Sequence, residues 1–168
     1  MSLGLESDGY SLYFANELSP MAAESFAYNI LGEDLDALAE TNGTRTKTFW
    51  LSSKHEELKP RLRENPFEYP EPKNSLNDIP DDISKLEGGL LVGNITHLNK
   101  LLESNDDLKA ALKNGFGKGE IDLVSGGPPC QSFSLAGLRE KNNDKNTLPW
   151  EFAKFAEHVQ PKRTGWAS

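Results

Sequence analysis

The chain has 168 residues, which suits one domain, and its 36% hydrophobic content and mean hydropathy of -0.59 leave little apolar surplus for a core. No apolar run approaches the roughly 20 residues that a membrane-spanning helix needs, and the start lacks signal-peptide features. The single cysteine, Cys130, excludes an internal disulfide, and three scattered histidines offer no zinc-ligand spacing. The sequence therefore predicts a soluble cytoplasmic protein with no metal and no membrane partner.

The net charge of -8 is unevenly distributed along the chain. Residues 1–40 hold eight acids and no base, whereas residues 41–73 and 126–168 each hold two more bases than acids. An excess of two lies within ordinary surface variation. Charge alone therefore neither indicates nor excludes a nucleic-acid partner.

The first 31 residues predict a helix, a strand and a helix. Residues 1–7 favour a short helix that stops at Asp8-Gly9, and the aromatic-rich residues 10–15 favour a strand. Ser19-Pro20 is typical of a helix start, with an N-cap followed by proline, and apolar residues continue at helical spacing.

Residues 41–88 differ in composition from the rest of the chain. They contain five of the ten prolines, many charged residues and few aliphatic ones. This composition predicts an insertion or a long loop, with a short helix over about residues 53–63.

From residue 89 onwards, apolar strands and amphipathic helices alternate. Strands are expected at residues 89–95 and 121–124, and a helix at residues 148–159. Two further helical faces are formed by Leu98, Leu101 and Leu102 and by Leu108, Ala111 and Leu112. Residues 163–168 do not favour a strand. This alternation predicts an α/β fold with a doubly wound, mostly parallel sheet.

Cys130 lies in the segment Gly-Gly-Pro-Pro-Cys-Gln-Ser-Phe-Ser, residues 126–134, just beyond the predicted strand 121–124. Ligands of parallel α/β sheets bind beyond the carboxyl ends of the strands. Glycines allow close approach to a ligand, and prolines stiffen the loop that carries the thiol. This placement favours a nucleophile over the small buried hydrophobe that a free cysteine commonly is.

The segment around Cys130 closely resembles the catalytic motif of the DNA cytosine-5 methyltransferases. In that family the cysteine adds to C6 of a cytosine flipped out of the duplex, and C5 then takes a methyl group from S-adenosylmethionine. The resemblance implies a Rossmann-like S-adenosylmethionine-dependent methyltransferase fold, double-stranded DNA as partner and Cys130 as catalytic residue.

Further segments resemble the family's cofactor motifs. Phe-Ala-Asn-Glu-Leu-Ser, residues 14–19, is similar to the second motif, which implies that Glu17 binds the ribose hydroxyls and that Leu18 lies against the adenine. Gly-Asn-Ile, residues 93–95, is similar to the third motif, usually Gly-Asp-Ile, which implies that the Asn94 amide oxygen accepts a bond from the adenine amino group. The predicted cofactor-binding set is Glu17, Leu18, Asn94, Ile95, Pro128 and Leu148, the last from the fifth-motif segment Asn-Thr-Leu-Pro-Trp.

The loop after Cys130 supplies the candidates for DNA contact. The resemblance assigns base or backbone contacts to Gln131 and Ser134, and neutralisation of phosphates to Arg139, Lys141 and Lys145.

Three family motifs are not found in the sequence: the Phe-x-Gly-x-Gly-Gly strand expected before residue 1, the Glu-Asn-Val strand expected after Lys162, and the last cofactor motif. We therefore expect residues 1–168 to be a partial catalytic domain, truncated at both ends, without its first strand, C-terminal strands or target-recognition domain. Its partners would then include the missing part of the enzyme, or a second copy at exposed sheet edges. Two alternatives stay open: an inactive remnant that only binds cofactor or DNA, and a cysteine hydrolase that pairs Cys130 with His158.

Overall fold

The computed structural model describes residues 9–127 and 147–166, and the chain forms two compact units, residues 1–98 and residues 99–168. The helices and strands, in chain order, are β1 (Phe14–Glu17), α1 (Pro20–Phe26), α2 (Leu35–Thr41), β2 (Thr48–Trp50), α3 (Leu58–Arg61), β3 (Gly89–Val92), α4 (Ile95–Ser104), α5 (Asp106–Lys113), β4 (Leu123–Gly126), α6 (Leu148–Val159) and β5 (Arg163–Trp166). Every strand pairing among these elements is parallel, and helices separate most of the strands. The α/β class is therefore confirmed.

The first unit contains a three-stranded sheet in the order β1-β3-β2. The last residues of the three strands form one row, because Glu17 and Trp50 both lie opposite Val92. The central strand β3 is buried along its whole length, as its uninterrupted Gly-Leu-Leu-Val sequence leads one to expect. The carboxyl ends of all three strands therefore meet at one edge of this sheet.

The helix after β1 begins as predicted. The Ser19 hydroxyl accepts a hydrogen bond from the Ala22 amide, and Pro20 occupies the first helical position. A π-helical turn, Ala27–Leu31, continues α1 and ends at Gly32 with φ of 67°. The next helix, α2, was not predicted; its N-cap is Asp34, whose carboxylate accepts from the Ala37 amide at 3.0 Å.

Residues 41–88, predicted as an insertion or a long loop, are folded into the first unit. The segment contributes β2, α3 and three members of the main core cluster, Trp50, Leu62 and Tyr69. These pack in one cluster with residues from both sheet and helices: Ala23, Ala27, Leu35, Leu90 and Val92. The short helix expected at about residues 53–63 is the single turn of α3.

An ionic cluster also ties this segment to the sheet. Asp78 Oδ2 accepts hydrogen bonds from Arg45 Nη1 at 2.8 Å, Arg61 Nη1 at 2.7 Å and the Trp50 backbone N–H at 2.8 Å. The guanidinium carbons of Arg45 and Arg61 lie 5.0 and 5.8 Å from the centre of the Trp50 ring. The loop that carries Asp78 is thus fixed to the end of β2.

The second unit contains a two-stranded parallel sheet of β4 and β5, in which Leu123 pairs with Arg163 and Gly126 with Trp166. The expectation that residues 163–168 do not form a strand is therefore wrong for Arg163–Trp166. Hydrogen bonds between neighbouring strands outweigh weak local propensity, and the Ile121 and Asp122 carbonyls accept from Lys162 and Arg163. Helix α6 has the predicted bounds.

Three strand boundaries differ from the prediction. β1 begins at Phe14 and not at residue 10, β3 ends at Val92, and β4 covers Leu123–Gly126 and not residues 121–124. In each case pairing with a neighbour sets the limits, because local composition does not specify register. The predicted helix over residues 1–7 lies outside the described residues.

The described residues contain two separate parallel sheets, of three and two strands, where the sequence predicted one doubly wound sheet. Within residues 9–127 and 147–166, no helix is long and apolar enough to cross a bilayer.

Candidate active site

The carboxyl ends of β1 and β3 bring four of the predicted cofactor residues to one edge. Glu17 ends β1 opposite Val92, and its carbonyl accepts a hydrogen bond from the Gly93 N–H at 2.8 Å. Leu18 and Asn94 therefore lie just beyond the carboxyl ends of two neighbouring strands. In a parallel sheet, this edge is where ligands bind.

Glu17 is half-buried and its carboxylate is held in place by the turn that follows. Oε1 accepts a hydrogen bond from the Ser19 backbone N–H at 3.0 Å. An ionised carboxylate has about four acceptor sites, so this bond leaves acceptors free for a ligand. Leu18 packs against the core cluster of the first unit, which fixes the backbone beside Glu17.

Asn94 caps helix α4. Its Oδ1 accepts from the Thr96 N–H at 2.9 Å, and its carbonyl accepts from Leu98 N–H at 3.0 Å. Ile95, the first residue of α4, is half-buried. A side-chain amide keeps a second acceptor site and two donors, so Asn94 remains able to bind a polar ligand group while it caps the helix.

Gly93 is required by close packing. A Cβ added to it would lie 2.6 Å from Leu51 Cβ and 3.2 Å from Leu51 Cδ2. Leu51 is fully buried at the end of β2, and its N–H donates to the Val92 carbonyl at 2.9 Å. Segment 41–88 therefore forms part of the support of this edge, which the sequence did not indicate.

Leu148 begins helix α6 in the second unit, directly after Thr147 and before Pro149. It is half-buried, as is Gly126 at the end of β4. Gly126 is also required sterically, because a Cβ there would overlap the Phe152 ring of α6. Helix α6 thus packs against β4, the strand that precedes Cys130 in the sequence.

The remaining predicted residues lie outside the described residues. These are the catalytic Cys130, the cofactor residue Pro128 and the DNA candidates Gln131, Ser134, Arg139, Lys141 and Lys145. Their roles stay predictions. The same holds for a Cys130–His158 pair; His158 lies on α6, and burial, followed by the Lys109 charge, lowers its pKa below the usual value.

The basic residues of segment 41–73 do not form a free cationic surface. Five of the seven pair with carboxylates at 2.7 to 2.9 Å, four of them in the pairs Arg45–Asp78, Lys54–Glu68, Lys59–Glu40 and Arg61–Asp78. Arg63 pairs with Glu24 at 2.7 Å, and Lys47 Nζ donates to the Glu87 carbonyl at 3.0 Å. Six of the seven basic residues of this segment therefore bond to other groups of the first unit.

A family model described as C-5 cytosine-specific DNA methylase matches residues 95–163, a segment that includes Cys130 and Leu148. Over these residues the chain is similar to the C-5 cytosine-specific DNA methylase family. The match begins one residue after Asn94. The resemblance inferred from the Cys130 segment is thereby confirmed at the level of the family.

Curated relatives agree with this assignment. The chain is similar to the Type II methyltransferase M.AgeI of Thalassovita gelatinovora, with 38% identity over 61 residues, covering 36% of this chain and 14% of that protein. It is 54% identical over 44 residues to the Type II methyltransferase M.AquIA of a Picosynechococcus strain, covering 26% of this chain and 18% of that protein. The matched segments thus span less than a fifth of these relatives. No solved structure matches.

Proposed function

We propose that this chain forms part of the catalytic domain of a DNA cytosine-5 methyltransferase with a Rossmann-like fold. The observation that carries the proposal is the coincidence of two features. The family match covers the cysteine loop, and the second- and third-motif residues meet at the carboxyl edge of one parallel sheet.

The cofactor proposal is supported by the chemistry of that edge. Glu17 offers a carboxylate with free acceptor sites for the ribose hydroxyls, and Asn94 offers an amide for the adenine amino group. Leu18 and Ile95 add half-buried apolar surface beside these groups. S-adenosylmethionine, when bound, would supply the methyl group; Pro128 and Leu148 complete the proposed set.

Cys130 is the proposed nucleophile. Its thiolate adds to C6 of the flipped cytosine, which makes C5 nucleophilic enough to accept a methyl group. Loss of the C5 proton to a base then expels the Cys130 thiolate and restores the aromatic ring. Gln131 and Ser134 would contact the opened duplex, while Arg139, Lys141 and Lys145 would neutralise phosphates.

Covalent trapping on a duplex that contains 5-fluorocytosine tests this proposal. Fluorine at C5 blocks the proton loss, so the Cys130–C6 adduct should persist through denaturing electrophoresis when S-adenosylmethionine is present. Cys130→Ser should abolish the adduct, whereas His158→Ala, a matched control on α6, should leave it intact. An adduct that survives Cys130→Ser would refute the nucleophile assignment. No adduct from the unmodified chain, together with turnover of a thioester that is lost in His158→Ala, would support the hydrolase pairing.

A further inference from the structure

The side chain of Asn16 connects segments that are far apart in the sequence at the candidate cofactor edge. Its Nδ2 donates to the Leu91 carbonyl at 2.9 Å and to the Gly93 carbonyl at 3.1 Å. Because both acceptors are carbonyl oxygens, only the NH2 group of the amide can face them. One side chain of β1 thus contacts both β3 and the residue that follows it.

Gly93 is held from three sides. Asn16 binds its carbonyl, the Glu17 carbonyl accepts from its N–H at 2.8 Å, and Leu51 leaves no space for a side chain. Gly93 directly precedes Asn94, and Asn16 directly precedes Glu17. The Asn16–Gly93 bond therefore joins the two backbone segments that carry the two proposed nucleoside-binding groups.

We propose that Asn16 is a positioning residue for cofactor binding, which acts by fixing Asn94 relative to Glu17. The inference rests on the proposed function, since it requires that Asn94 binds the nucleoside. Asn16 itself need not touch the ligand, because its two donors are used on β3. A binding group loses affinity when its support is loosened, since the ligand must then order the group as it binds.

A double-mutant cycle separates positioning from general stabilisation of the sheet. S-adenosylmethionine affinity is measured by calorimetry for the unmodified chain, Asn16→Ala, Asn94→Ala and the double variant. We expect Asn16→Ala to weaken binding by about 10-fold, equivalent to ~1.4 kcal/mol. In the Asn94→Ala background the same change should cost less than about 2-fold, because the group it positions is gone.

Asn29→Ala is the matched control. Its Nδ2 also donates to a backbone carbonyl, that of Ser25 at 2.7 Å, but on an exposed part of the helical segment after β1. It should leave affinity unchanged. If Asn16→Ala fails to fold by circular dichroism, Asn16→Ser, which keeps one donor, replaces it in the cycle with a smaller expected loss.

The outcomes distinguish the two proposals. Absence of binding by the unmodified chain overturns the cofactor proposal and the positioning role with it. Unchanged affinity in Asn16→Ala, alongside weakened binding in Glu17→Gln, overturns only the positioning role. The positioning role is also overturned if Asn16→Ala weakens S-adenosylmethionine binding as much in the Asn94→Ala background as in the unmodified chain, because Asn16 would then act through the sheet as a whole.

Discussion

Replacement of Asp78 by asparagine should strongly destabilise the first unit. Asp78 Oδ2 is shared by Arg45, Arg61 and the Trp50 N–H, and the Arg61 side chain is only 4% exposed. Asparagine has nearly the same shape and can still accept the Trp50 bond. The substitution therefore removes the charge while it preserves the packing.

The expected size follows from the burial of Arg61. Removing one partner of a buried ion pair costs about 3–5 kcal/mol, because the other charge is left uncompensated. Arg61 keeps its bond from Nε to the His55 carbonyl at 2.7 Å, and the Arg45 side chain is 19% exposed. We therefore expect the lower end, about 3 kcal/mol in the free energy of unfolding.

Urea unfolding followed by circular dichroism measures this loss. With a typical urea dependence of about 2 kcal/mol per M, the midpoint should fall by about 1.5 M. Glu40→Gln is the control, because its pair with Lys59 is 61% and 67% exposed and should contribute no measurable stability. Equal midpoints for Asp78→Asn and Glu40→Gln would refute the view that this cluster ties segment 41–88 to the sheet.

Two further predictions concern acid and the second sheet. Burial alone would raise the pKa values of Asp78 and Glu33, but hydrogen bonds lower both. Asp78 accepts these bonds from two arginines, and Glu33 accepts them from Thr46 and Lys47. Both ionised carboxylates therefore stabilise the fold fully above the ordinary carboxyl pKa, and this contribution should be lost as the pH falls through their lowered pKa values. A free energy of unfolding that stays constant from pH 5 to about pH 3 would contradict this. In the second unit, Gly126→Ala should destabilise β4 by about 1–3 kcal/mol through overlap with Phe152. Gly165→Ala, where the nearest atom is 3.6 Å away, should be tolerated, and thermal unfolding compares the two.

The sequence predicted correctly those helix ends that depend only on residues nearby in the chain. Helix α1 begins at Ser19-Pro20 because capping and the fixed φ of proline act within one turn. Helix α6 matches its predicted bounds because Pro149 occupies its first turn, near its start, and apolar residues follow at helical spacing. Neither prediction needed information about distant residues.

Strand β5 was not predicted because Arg-Thr-Gly-Trp lacks the apolar run of β3 and β4, and β2 was not predicted because it lies in the segment rich in proline and charge. Their backbone groups are paired by β3 and β4, and that pairing decides their extent. Composition likewise did not indicate that segment 41–88 contributes core residues, because its prolines and charges are typical of a loop. Its ion pairs form only after Asp78 reaches Arg45 and Arg61 in the folded unit.

The sequence by itself indicated the family resemblance, because the residues of the Cys130 motif are contiguous and can be recognised without knowledge of the fold. It also indicated Glu17 and Asn94, each beside a short apolar run. Only the tertiary structure decided what holds these two groups together. The Asn16–Gly93 bond joins residues 77 positions apart, and Leu51 reaches Gly93 from a different strand. Contacts between residues so far apart in the sequence depend on strand order and register, which are set only when the strands pair as the chain folds.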